Sequence, residues 1–194
     1  MDIRQKIFEI RSYTPIPFIV LMLIFAKPTA PSLIIGFLLG LTGEAVRFWG
    51  VSIAGTETRT TGPVGATNLI IDGPFAYVRN PLYVGNMMMY IGVGIMSFAL
   101  MPYLLIVAYV FFLFQYTMIV MKEEEHLHTA FGEEYDRYVA NVPRFVPRLR
   151  PYTGQHSFHR DADLSRGLLS EQRTLQAFGI LTAAIVGLYF FRQA

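Results

Sequence analysis

Cysteine is absent from the 194 residues. That removes disulfides, thiolate metal ligands and cysteine nucleophiles from consideration. Charge is scarce. Only 15% of the chain is Asp, Glu, Lys or Arg, against 53% hydrophobic, whereas soluble domains carry about 25% charged residues. No Walker motif, strand-borne GxGxxG or HExxH occurs, which argues against phosphate-loop and zincin chemistry. Histidine is limited to four positions. His128 shares a helical face with Glu124 and Glu125, but no further ligand stands at a diagnostic spacing, so no metal site is assigned. His126, His156 and His159 read as interfacial or exposed. Nothing in the arrangement of basic residues suggests nucleic acid.

What is present is apolar and long. Leu82–Leu100 and Tyr103–Met121 contain no charge, and Pro102 separates them. The Met101-Pro102 link suits only a helical hairpin. Leu33–Ala54 is a third run, with Glu44 and Arg47 near its end; three apart, they are expected to pair with each other. Leu175–Phe191 is a fourth, and Tyr13–Ala26, short and holding two prolines, a fifth. A spanning helix needs roughly 20 mostly apolar residues. The expected fold is therefore all-α, an integral membrane helical bundle of about five spans. The start of the chain does not read as a cleaved signal, because Asp2, Glu9 and Arg11 interrupt its apolar stretch. Gly92-Val93-Gly94 falls mid-membrane, where small residues serve helix packing.

With the N-terminus placed inside, 14 of the 16 Lys and Arg residues, Arg59 and Arg160 among them, fall on the inner side, and only Lys27 and Arg192 fall outside. That asymmetry fits the positive-inside rule. It also puts two polar stretches on one cytoplasmic face. The first, "GPFAYVRNPLYVGN" (73–86), has a turn at Asp72-Gly73-Pro74, then Arg79, then a helix beginning at Pro81 that the Asn80 side chain is placed to cap. The second, "KEEEHLHTAFGEEYDRYVANVPRFVPRLRP" (122–151), predicts a helix to Ala130 stopped by Gly132, then a short helix over Glu133–Ala140 ended by Pro143. Phe131, Tyr135 and Tyr138 repeat at helical spacing and are expected to pack on a core. Basic residues after Pro143 are expected to attract anionic lipid headgroups.

Read together, these stretches resemble the isoprenylcysteine carboxyl methyltransferases and the related phospholipid methyltransferases. The shared pattern runs from about Arg47 to Leu149. It is a Gly-Pro-aromatic turn, Arg-His-Pro-x-Tyr, two hydrophobic helices, a Glu-Glu pair, Phe-Gly-x-x-Tyr-x-x-Tyr and a closing Arg-Phe-x-Pro. Here Asn80 stands where many relatives have histidine; it keeps hydrogen-bonding capacity but cannot titrate. The resemblance implies S-adenosyl-L-methionine as cofactor and a lipophilic methyl acceptor entering from the bilayer. It implies catalytic roles for Arg79, Tyr83, Glu123 and Arg144, and cofactor contacts from Asn80, Pro81, Leu82, Glu124, Tyr135 and Tyr138. Tyr135, Tyr138 and Arg144 would form a cytosolic lid. The implied layout is a membrane-embedded core over 1–150, a cytosolic or interfacial linker over 151–174 and a last span over 175–194. The acceptor stays open among a prenylcysteine carboxylate, a phospholipid amine and a small thiol, and Arg79 among cofactor and acceptor. A rival reading is an NADPH-dependent membrane sterol reductase, which shares an Arg-Asn-Pro-x-Tyr turn. A lipid-binding scaffold without catalysis is the remaining alternative.

Overall fold

A computed structural model describes residues 3–55, 68–154 and 161–193. Arg59, His156, His159 and Arg160 lie outside the described residues. Among those described there are seven α-helices, a short 3-10 helix and no strand. The helices are α1 (Ile3–Ile10), α2 (Pro15–Ile24), α3 (Ala30–Ala54), α4 (Pro81–Ser97), α5 (Tyr103–Phe131), α6 (Glu133–Asn141) and α7 (Leu164–Gln193). The 3-10 helix, Gly73–Ala76, precedes α4.

Three of the described helices, α3, α5 and α7, are long and apolar enough to cross a membrane. The bent pair α1–α2, with 48° between its halves, counts as a fourth if taken as one span. The expected count of five differs at α4. That helix has 17 residues and stops at Ser97 rather than Leu100, because Phe98 and Leu100 both take positive φ. At 1.5 Å per residue this falls a little short of the roughly 20 residues a span needs.

The chain divides into two compact units. The first comprises residues 1–44, 85–119 and 173–194. Its core includes Met22, Ala26, Met96, Ala108, Phe112, Phe178 and Ile185. α3 and α4 meet here backbone to backbone. A Cβ placed on Gly92 would lie 2.6 Å from the Gly36 carbonyl oxygen and 2.7 Å from the Gly40 nitrogen, so only glycine fits. Close approach through small residues is how helices associate where water supplies no driving force. The expected packing role of the mid-membrane glycines is thus met. Phe112 sits against Phe18 and, at 4.4 Å between ring centroids, Tyr90.

The second unit comprises residues 45–84 and 120–172. Leu69, Ile71, Tyr135, Tyr138 and Val142 form its buried cluster, with Leu127, Phe131 and Tyr152 packed around it. The helical spacing of Phe131, Tyr135 and Tyr138 anticipates three of these eight residues. α6 starts just after Gly132 and runs one residue past the expected end. α7 starts at Leu164, eleven residues before the apolar run at Leu175, so much of the expected linker is helix. Its start is fixed by Asp163, whose carboxylate accepts the Arg166 N–H at 2.9 Å and whose own N–H reaches Ser52 O at 2.8 Å. Further along, Arg47 grips Glu171. Nη2 lies 2.8 Å from each Glu171 oxygen, Nε lies 3.2 Å from Oε2, and Glu171 is fully buried.

Candidate functional site

The turn expected at Asp72-Gly73-Pro74 is the 3-10 helix. Gly73 has φ +57°, and a Cβ there would stand 2.8 Å from Ile53 Cγ1, so the position demands glycine twice over. Tyr77 N–H and Val78 N–H both return to Pro74 O at 3.1 Å. Three residues later Pro81, fully buried, starts α4. Proline fits there because the first turn needs no N–H from it. Asn80 supplies the first backbone acceptor, to Val84 N–H at 3.1 Å. Its side-chain amide does not act as the expected cap; it donates to Arg144 O at 3.2 Å.

The turn is laced to the segment after α6 by main-chain bonds. Arg79 N–H donates to Pro143 O, Arg148 N–H to Tyr77 O and Tyr152 N–H to Ala76 O, each at 2.9 Å. Tyr138 OH adds a bond to Phe75 O at 2.7 Å. The partners in these bonds are 63 to 76 residues apart in sequence, and the two polar stretches are thereby joined.

α5 continues past its apolar stretch, and its last turns present the carboxylates. Neighbouring helical residues point about 100° apart, and Glu123 and Glu124 accordingly take different partners. Glu123 Oε1 accepts the Tyr83 hydroxyl at 2.8 Å. Glu124 receives two guanidiniums. Arg79 Nη2 lies 3.0 Å from its Oε1, while Arg144 reaches Oε1 with Nε at 3.2 Å and Oε2 with Nη2 at 2.5 Å. The Arg144 contact is the two-pronged geometry that suits guanidinium to carboxylate. Arg79 also donates through Nη1 to Val139 O at 3.1 Å. Its side chain is 10% exposed, and its buried Nε–H has no acceptor among the described residues.

Tyr135 and Tyr138 are both 3% exposed, with ring centroids 6.2 Å apart. Burial pushes both phenols well above their ordinary pKa. Glu124 raises Tyr135 further, with Arg79 and Arg144 opposing it. Both therefore stay protonated, as the donation from Tyr138 to Phe75 requires.

Arg79, Asn80, Tyr83, Glu123, Glu124 and Arg144 thus come together as expected. Leu82 does not join them. It lies over Gly50 of α3, where a Cβ would meet Leu82 Cδ2 at 2.8 Å. Pro81 starts the helix, and Tyr135 and Tyr138 belong to the apolar cluster beneath the charges. His128 pairs with exposed Asp136 at 3.1 Å, and the described residues contain no group of three His, Cys, Asp or Glu side chains able to hold a metal. Sequence reasoning missed the main-chain lacing, Val139 O and the Arg47–Glu171 pair. Backbone partners leave no residue-type signal, and an Arg–Glu pair 124 residues apart has no spacing to betray it.

A model of the phospholipid methyltransferase family matches residues 31–134. The chain belongs to that family. The match spans α3, the turn, α4 and α5, and so includes Arg79 to Tyr83 and both glutamates; Tyr135, Tyr138 and Arg144 lie beyond it. The chain is also similar to the cobalt-zinc-cadmium resistance protein CzcN of Cupriavidus metallidurans, 30% identical over 125 residues, covering 62% of this chain and 53% of that one. The nickel-cobalt-cadmium resistance protein NccN of Alcaligenes xylosoxydans xylosoxydans is 29% identical over 93 residues, covering 48% and 42%. The chain spans about half the length of these curated relatives. No solved structure matches.

Proposed function

We propose that this chain is an integral membrane methyltransferase that takes the methyl group of S-adenosylmethionine and delivers it to a lipophilic acceptor. The supporting observation is the convergence of Arg79, Arg144, Tyr83 and the Glu123–Glu124 pair where α4 begins and α5 leaves its apolar stretch. The residues suit the cofactor's polar ends. The buried Nε–H of Arg79, without an acceptor among the described residues, matches a carboxylate, as at an amino-acid terminus. Glu124 and Glu123 match an ammonium or ribose hydroxyls through charge-assisted hydrogen bonds. Asn80 lies beside them, held by Arg144 O.

The cofactor supplies a methyl group on a sulfonium, already activated by its positive charge. What remains for the protein is alignment and exclusion of water, which together lower a barrier by several kcal/mol. Glu124, fixed from two sides, holds one end in register. Tyr83 orients Glu123. α6 with Arg144 closes the site as a lid. Two arginines around one carboxylate favour an anionic acceptor, and hence carboxyl O-methylation of the isoprenylcysteine type. Family membership favours a second reading, a phospholipid amine, which must lose a proton before attack and would use Glu123 as base. The relatives' names raise metal handling, for which the described residues of this chain offer no three-ligand group.

The test is transfer of labelled methyl from S-adenosylmethionine to separate prenylcysteine, phospholipid and thiol pools by the purified protein. Labelling of prenylcysteine alone is expected, and no labelling of any pool rejects the proposal. Stabilisation by S-adenosylhomocysteine but not NADPH is expected in thermal unfolding, because only a ligand that binds the native state raises the midpoint. The reverse result identifies a reductase.

A further inference from the structure

Between Asp136 and Asp161 the chain has no carboxylate, yet it carries Arg137, Arg144, Arg148, Arg150 and Arg160. Arg144 is committed to Glu124. Arg148 gives one N–H to Asn141 O and remains partly exposed. Arg137 and Arg150 are exposed. Between them stand two exposed aliphatic side chains, Val146 at 74% and Leu149 at 99%. Full exposure of leucine in a floppy tail would mean little, but this segment is not floppy. Its backbone is tied at Pro143, Arg148 and Tyr152 to the residues just before α4, and Arg144 anchors it to Glu124. Val146 and Leu149 are therefore held outward on a fixed support, flanked by arginines.

The anchor's depth is set by the chain. Glu124 lies three residues past Met121, where the apolar stretch of the candidate span α5 ends. Asn80, the other tie to Arg144, directly precedes α4. With α5 crossing the bilayer, a segment rooted at both places would stand at the level of lipid headgroups. There an aliphatic side chain finds the acyl boundary, and a guanidinium finds phosphate.

We propose that residues 143–151 form a membrane-docking foot. Val146 and Leu149 insert into the headgroup region of an anionic leaflet, and Arg148 and Arg150 bind lipid phosphates. The occupant is lipid because the site combines an acid-free run of arginine with aliphatic tips next to the end of a span. The foot would fix Arg144, and with it Glu124, relative to the bilayer surface from which a lipophilic compound must arrive.

The absence of cysteine makes this directly testable on the full chain. Leu149→Cys and, as a control on exposed α6, Glu133→Cys each provide one labelling site. Each is labelled with an environment-sensitive fluorophore and reconstituted into nanodiscs of phosphatidylcholine, with or without phosphatidylglycerol. Headgroup-nitroxide lipid is the quencher. Leu149 is so exposed that its replacement leaves the fold intact, which an unchanged melting temperature checks. Quenching at 149 should exceed that at 133 several-fold in the anionic discs and weaken with added salt. Replacing Arg148 or Arg150 by Gln should lower the docked-to-undocked ratio by about fivefold each. Equal quenching at the two positions overturns the proposal. So does quenching at 149 that ignores phosphatidylglycerol, salt and both arginines. A label at 149 that stays unquenched by lipid and is covered only by an added acidic protein would assign the surface to a protein partner, and equally overturns it.

Discussion

At Gly92, in the first unit, a methyl group would collide with the backbone of Gly36 and Gly40. At Glu124, in the second, two guanidiniums converge on a carboxylate that is 16% exposed. One unit is held by side chains that are missing, the other by side chains that carry charge. The glycine seam depends on van der Waals contact over a continuous helix face, so any added atom harms it and few polar substitutions improve it. The charged cluster depends on each partner being present. Its groups are partly removed from water, and losing one leaves the others underserved. The first arrangement supplies a rigid frame without chemistry. The second gathers ionisable side chains, and every group in it is also a structural liability.

Mutations can break or sharpen this contrast. The largest effect is expected from Glu171→Ala, which removes the fully buried partner of Arg47; breaking a buried pair costs about 3 to 5 kcal/mol. Chemical unfolding in detergent should register it as lost stability, and a change under about 0.5 kcal/mol would show that the pair is worth no more than an exposed one. Arg79→Ala should lower methyl transfer by about 100-fold in the folded fraction, the order expected when a positioned reactant is released; normal turnover would remove Arg79 from the site. Gly92→Val should destabilise by about 1 to 3 kcal/mol through overpacking while the remaining folded protein binds S-adenosylhomocysteine normally, so thermal unfolding and ligand titration should part company. A parallel loss of ligand affinity would erase the distinction between frame and site. Glu124→Gln should weaken S-adenosylhomocysteine binding by about 1.5 to 3 kcal/mol, the value of hydrogen bonds to a charged group, measured by calorimetry. Tyr83→Phe should be mildest, about 1 kcal/mol on transfer, because it leaves Glu123 in place and removes only the hydroxyl that orients it.

The contrast also explains what could be read from the sequence. The charged cluster was legible because its parts are rare residue types in an apolar chain. Arg79 before a proline, two glutamates at the end of an uncharged run and Arg144 beside Pro143 stand out against their surroundings. The starts of α4 and α6 were legible because Pro81 and Gly132 act locally. Leu82 stands beside the polar motif in sequence, but its side chain packs near Gly50, which its apolar type alone does not tell. The α4 end was misplaced because hydrophobicity continues through Phe98 and Leu100, while their backbone has already left the helix. Glu171 has no sequence feature that singles it out, and only the packing of α7's first turns against Ser52 and Arg47 gives it a role. Leu69 and Ile71 complete a core that amphipathic spacing in α6 could announce only from one side.

The three main-chain bonds between residues 76–79 and 143–152 have a consequence for the order of events during synthesis. Helices α3 to α6 are translated before any of the later partners exist. Until Pro143 emerges from the ribosome, the Arg79 amide lacks the carbonyl that receives it, and Glu124 waits for its second guanidinium. A nascent chain halted at residue 142 would carry both glutamates and the arginine turn yet not the joined cluster, so the cluster assembles abruptly, over the addition of about ten amino acids, rather than growing with chain length.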